Sequence, residues 1–310
     1  MRLFSLTVAL LLAAACAAAP SGAGAAAQAL TYLGGVVVPS EGGVGGLSGL
    51  RVAADGSGFT AVSDLGAVVT GRLRHDEAGH LDGVGALSVR SLGGIAPGDK
   101  GSADAEALAR LPDGTWLVAF ERDHRILAYP PEGGLTGQPR RLDLPESVQH
   151  LPANKGIEAL ATLPDGRILA IAEGRDGKGL HPAWIGREGE WRSFRYRTDP
   201  AFAPTDADML PNGDLLVLER HFSLALGVLG RLMLVDGRDL QGGVVVEGRL
   251  LGTVEPPLGV DNFEGLSVRE APDGTLLAYI VSDDNFSPFQ RTLLVQYALR
   301  MAEPRPAQGR

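Results

Sequence analysis

The chain has 310 residues and a formal net charge of −9, and its basic residues do not cluster, which argues against nucleic acid or an anionic membrane as partner. No apolar run is long enough to span a bilayer. The single cysteine, Cys16, falls in the first thirty residues, so a mature chain is expected to rely on its core rather than on disulfides.

In chain order, the first feature is a leader. Arg2 gives a basic start, Leu6 to Ala15 is a short apolar run, and Ala27-Gln28-Ala29 offers a cleavage site. Residues 1–29 are therefore predicted to be a secretory signal peptide, and the protein to be exported, periplasmic or secreted. Ala13-Ala14-Ala15-Cys16 weakly resembles a lipoprotein box, with Ala where Leu is usual, so lipid anchoring at Cys16 is the minority alternative. Residues 30–310 are read as one domain and as a monomer.

A phrase then recurs. The segments AADGSGFTAVSDLG (53–66), LPDGTWLVAFERD (111–123), LPDGRILAIAEGRD (163–176), LPNGDLLVLERHF (210–222) and APDGTLLAYIVSDDN (271–285) align at Gly56, Gly114, Gly166, Gly213 and Gly274. Each has a short apolar half upstream, as in DAEALARL (104–111) and GIEALATL (156–163). The unit is strand, Asp/Asn-Gly turn, strand, because such a turn needs positive φ. Runs such as Trp116 to Phe120 and Leu215 to Leu218 are apolar at every position, as in a strand covered on both faces. A unit of roughly 50 residues leaves room for two outer strands, the arithmetic of a propeller blade. The expectation is an all-β chain forming a single β-propeller of six four-stranded blades, with 230–252 or the chain ends supplying the sixth. A β-sandwich of irregular hairpins is the alternative.

Acids mark the open end of these hairpins. Glu106 lies eight residues before Gly114 and Glu121 seven after it; Glu158 and Glu173 flank Gly166, Asp206 and Glu219 flank Gly213, and Glu264 with Asp283-Asp284 flank Gly274. In the first copy Asp64 follows Gly56, but Ser48 stands in the upstream place. Around a closed ring these acids should gather at one mouth of the central channel, where carboxylates cannot all stay ionised without protons, cations or basic partners. Oxygen donors of this kind suit a divalent cation, Ca²⁺ being favoured. The candidate ligands are Glu106, Glu121, Glu158, Glu219, Asp261, Asn262, Glu264 and Asp283. Arg122, Lys155, Arg220, His221 and Arg291 lie in the same loops and are candidates to bind an anionic group. Glu158, Glu264 and Asp284 are the candidate catalytic acids. Each could equally be a salt-bridge partner or a loop cap. Neither Ser48 nor Ser267 fits a nucleophile elbow, and no phosphate loop or dinucleotide fingerprint is present.

At SADAEALARLPDGTWLVAFERDHRI, NKGIEALATLPDGRILAIAEG, PTDADMLPNGDLLVLERHFS and DNFEGLSVREAPDGTLLAYIVSDDNFSPFQRTLLVQYAL the sequence resembles the bacterial family called esterase-like activity of phytase. The resemblance implies a propeller, export, and hydrolysis of phosphoesters or related esters. It carries over to Glu106, Glu121, Arg122, Glu158, Glu219, Arg220, Asp261, Asn262, Glu264, Asp283, Asp284 and Asn285. The functional expectation is a metal-dependent hydrolase of a small anionic phosphoester. The alternatives are a non-catalytic binding propeller and a lactonase or carboxylesterase.

Overall fold

The structure is a computed structural model that describes residues 29–96, 100–223 and 227–301. The predicted leader lies outside the described residues but for Ala29, and so does Cys16. No helix among the described residues is long and apolar enough to cross a membrane.

Each Asp/Asn-Gly phrase folds as predicted. At the five turns Gly56, Gly114, Gly166, Gly213 and Gly274 take φ between 75° and 92°. The side chain of Asp55, Asp113, Asp165, Asn212 or Asp273 accepts from the backbone N–H two residues on, at 2.9 to 3.1 Å. This local bond closes the turn and fixes the register of the strands that leave it.

The strands form five sheets. Blade I holds Leu47–Val52, Gly58–Ser63, Ala67–His75 and Leu81–Ser91. Blade II holds Ala105–Arg110, Trp116–Phe120, Arg125–Tyr129 and Arg140–Arg141. Blade III holds Ile157–Thr162, Ile168–Ala172, His181–Arg187 and Glu190–Arg197. Blade IV holds Ala203–Met209, Leu215–Ser223, Gly227–Val235 and Arg249–Val254. Blade V holds Asn262–Glu270, Leu276–Asp283 and Leu293–Leu299, and its outermost strand is Leu30–Val37 from the other end of the chain.

The ring is closed by packing as well as by this exchange of termini. Five apolar clusters fill the five gaps between neighbouring blades; Leu50 and Tyr279 share the one between blades V and I, and Val62 and Val118 the one between I and II. The second strands of blades II and III, apolar throughout, are buried on both faces for this reason.

The blade count is five, not six. Segment 230–252 is not a blade of its own: Gly227–Val235 pairs along its whole length with Leu215–Ser223. The chain then runs out to lay Val245–Glu247 parallel against the outer strand of blade III before returning as the outer strand of blade IV. The long spacing between Gly213 and Gly274 is spent on this excursion, which ties two blades together at their edge.

Candidate functional site

The inner strands carry a shared irregularity. In every blade the pairing of the first two strands slips by one residue near the open end. The residue left out of the ladder is Glu106 in blade II, Glu158 in blade III and Glu264 in blade V; it is Thr205 in blade IV and Gly49 in blade I. A bulge of this kind frees one residue from pairing and re-aims its side chain. Three of the five bulges thus deliver a glutamate to the channel.

These glutamates meet. Burial holds Glu106 and Glu158 well above the carboxylate range, and repulsion adds to it: Glu106 feels Asp104, Glu121, Glu264 and Asp64, while Glu158 feels Glu106, Glu264, Glu173 and Glu121. Glu264 is pushed up to about 7 by burial, with Arg220 opposing and Asp283 and Glu173 adding to the rise. Asp283 rises to about 6 from burial and from Asp64 and Asp284. Glu121 is raised by burial and by Asp104 and Glu173, against a bond from the Gly156 N–H. Ser48 Oγ of blade I donates to Glu106 Oε2 at 3.3 Å, so the place without an acid is still wired to the cluster.

Among the described residues, three basic side chains sit among these acids. Arg122, at φ 63°, donates to Asp104 Oδ2 at 2.6 Å. Lys155 meets Glu173 Oε2 at 2.7 Å. Arg220 meets Glu264 Oε1 at 3.1 Å, and Asn262 bridges them, accepting from Arg220 at 2.5 Å and donating to Glu264 Oε1 at 2.8 Å. Glu264 Oε2 is buried and has no hydrogen-bond partner among the described residues. Asp104, Glu106 and Glu121 each bring a carboxylate oxygen to within 4.8 Å of the others, a spacing that one hard cation could span.

The remaining expected site residues lie elsewhere or are already engaged. Glu219 is not in the cluster: it is fully buried, accepting from Tyr196 Oη at 2.7 Å and pairing with Arg231 at 2.6 Å. The cause is parity. Glu219 follows its turn glycine by six residues where Glu121 and Glu173 follow by seven, and Asp206 precedes it by seven where Glu106 and Glu158 precede by eight. A shift of one residue turns a strand side chain to the other face, so the position equivalent to Glu121 is held by Arg220. Asp206 accordingly accepts from the Leu266 N–H of blade V at 2.7 Å. His221 donates to the Ala201 carbonyl at 2.7 Å and packs beside Phe202. Asp261 brackets the loop of blade V, accepting from the backbone of Asn262 and Arg291. Arg291 is exposed and donates to the Leu258 carbonyl at 2.6 Å. Asp284 Oδ1 accepts from the N–H groups of Gly46 and Phe286, each at 3.0 Å, so that this oxygen fastens the loop of blade V to the start of blade I.

One residue escaped the sequence reading. Arg51, on the inner strand of blade I, donates to the carbonyls of Leu50, Leu266, Leu160 and Ala207 at 2.5 to 3.4 Å, reaching four of the five blades. Asp206 and Asp208 lie 3.8 and 3.9 Å from its guanidinium. A lone arginine in an apolar inner strand was the available signal. It closes the channel from inside and separates the carboxylate mouth from the turn end of the blades.

Among solved structures the chain is similar to a hypothetical protein from Leishmania major (10% identity, TM-score 0.49, covering 87% of this chain and 91% of that one). It is similar also to a candidate gluconolactonase (14%, 0.47, 86% and 79%) and to virginiamycin B lyase from Staphylococcus aureus (10%, 0.38, 81% and 69%). Likeness at this level says nothing about chemistry. No curated protein matches the sequence. The family model for esterase-like activity of phytase matches residues 42–286, within which lie all five inner strands and every acid of the mouth. The chain therefore belongs to the phytase-like, esterase-like activity of phytase family.

Proposed function

We propose that the protein is an exported, metal-dependent hydrolase of small anionic phosphoesters that works at the carboxylate mouth. The observation that carries this reading is the convergence of Glu106, Glu158 and Glu264, each ejected from its ladder by a bulge, with one oxygen of Glu264 left buried and unpartnered. Placing so many carboxylates together raises their proton affinity and lowers stability unless a cation compensates them. The donors fit a hard divalent ion such as Ca²⁺: Asp104, Glu106 and Glu121 would hold it, and Glu158 and Glu264 are close enough to Glu106 to feel its charge. When bound, it would neutralise the acids and polarise a phosphoryl oxygen.

The chain's own groups have separable tasks. Arg122 and Lys155 are exposed enough to turn from Asp104 and Glu173 toward an anionic substrate. Arg220 and Asn262 orient Glu264 and hold one of its oxygens, leaving the other for the site. Glu158, buried and held above the usual carboxylate range, is the group suited to take up and return a proton. Asp284 positions the loop that carries Asp283.

The test is an assay of phosphomonoesters, phosphodiesters, lactones and carboxyl esters with Ca²⁺, Mg²⁺ and Mn²⁺, on the wild type and on Glu264→Gln. Phosphoester turnover that drops about 100-fold or more in the variant, with the fold intact, supports the assignment. Turnover of lactones or carboxyl esters alone would move the substrate class, and no turnover at all would leave a binding propeller. Export rests on residues 1–29, and a mature N-terminus near Leu30 in the exported protein is its check.

A further inference from the structure

A cleft of about 660 Å³ opens at the turn end of the blades, on the far side of Arg51 from the carboxylates. Its walls come from blades I, II and V, and three arginines line it: Arg51, Arg110 and Arg269. Glu270 is its one acid among the lining residues. Arg51 is saturated by its four carbonyls and by Asp206 and Asp208, so it lends the floor charge but little donor capacity.

The other two arginines are differently placed. Among the described residues neither has a carboxylate within 4.0 Å; Arg110 donates to the Gly114 carbonyl and Arg269 to Tyr279 Oη. The Arg110 guanidinium lies 5.0 Å from the centre of the Trp116 ring, which also lines the cleft. Thr60 and Thr70 add hydroxyls, and Val52 and Val268 add an apolar wall. Asp55 is near enough to Arg269 to feel its charge, but neither arginine is held in an ion pair, and on a chain of net charge −9 two such arginines around an aromatic cleft are a local reversal of sign.

We propose that this cleft is a second binding site, distinct from the carboxylate mouth, for a small aromatic organic anion. Arg110 and Arg269 take the acidic group, and the ring of the ligand packs against Trp116. The arginines supply charge-assisted hydrogen bonds that a neutral analogue cannot make, and the apolar wall supplies area that an inorganic anion cannot use.

The probe is 2-naphthoate, which carries no hydrolysable ester, compared by calorimetric titration with neutral 2-naphthalenemethanol in EDTA at low salt. The wild type is expected to prefer the acid by about tenfold, a preference that salt reduces. Arg110→Gln with Arg269→Gln is expected to abolish the preference, and Trp116→Leu to weaken both ligands together. Glu264→Gln, at the other mouth, is expected to bind as wild type. Equal affinity for acid and alcohol, no binding of the acid, or an undiminished preference in the double variant overturns the proposal. Arg110→Gln alone, at an exposed side chain, serves as the variant if the double one does not fold.

Discussion

Arg51 and Asp206 show what one buried arginine and the acids beside it do inside the channel. Removing the arginine takes the shared donor from the carbonyls of Leu50, Leu266, Leu160 and Ala207 and the one cation from beside Asp206 and Asp208. Arg51→Met is therefore expected to destabilise the fold by about 3–5 kcal/mol, read from urea unfolding. Asp206 is raised to about 8 by burial, with Arg51 and the N–H groups of Leu266 and Ala207 opposing. A carboxyl whose folded value is raised binds its proton more tightly in the native state. Its contribution is complete below the unfolded value near 3.8 and is lost as pH climbs through about 8. In EDTA, the melting temperature should fall from pH 5 to pH 8, and Asp206→Asn should reduce that slope, the raised Glu264 and Asp283 carrying the remainder. A slope unchanged in the variant would place the titration elsewhere.

At the scale of the element, the bulge decides the site. The turn chemistry was legible down to the residue, because an Asp or Asn followed directly by Gly has one dominant local solution. The acids of blades II and III were legible as a repeated spacing from that turn, and those of blade V as the same pair set two residues further out on each side. What misled the reading of blade IV was treating Asp206 and Glu219 as equivalents despite a difference of one residue, where strand parity makes one residue decisive. The bulge itself leaves no mark in the sequence that separates Glu106 from a solvated strand end. The sixth blade was inferred from length alone, and the excursion through Val245–Glu247 could not be read from a segment whose pattern also suits a hairpin. Two element-level outcomes follow. Gly49, at φ 51°, lies so close to the inner strand of blade II that a Cβ there would stand 2.5 Å from the Leu108 nitrogen. Gly49→Val is expected to cost more than about 2 kcal/mol, by strain and by the clash with backbone. Deleting Leu30–Val37 removes the outer strand of blade V and exposes an edge of Leu293–Leu299. The truncated chain should be aggregation-prone and fail to give a cooperative melt.

At the scale of the whole molecule, five apolar interfaces hold the blades in a ring whose two ends differ in charge. One end gathers acids that raise one another's proton affinity, and the other presents arginines around Trp116. Arg51 lies between them. The ring is the reason residues from distant parts of the chain, Glu106 and Glu264 among them, can repel one another at all, and it is also the reason a cation held at that end would steady every blade that contributes to it. The most direct measurement is the melting temperature of EDTA-treated protein titrated with Ca²⁺ at pH 7, beside Glu106→Gln and Glu264→Gln. A saturable rise of several degrees in the wild type, lost in both variants while they remain folded, is the predicted result. A melting temperature that stays flat with Ca²⁺, Mg²⁺ and Mn²⁺ alike, or a rise of the same size in the variants, would contradict it.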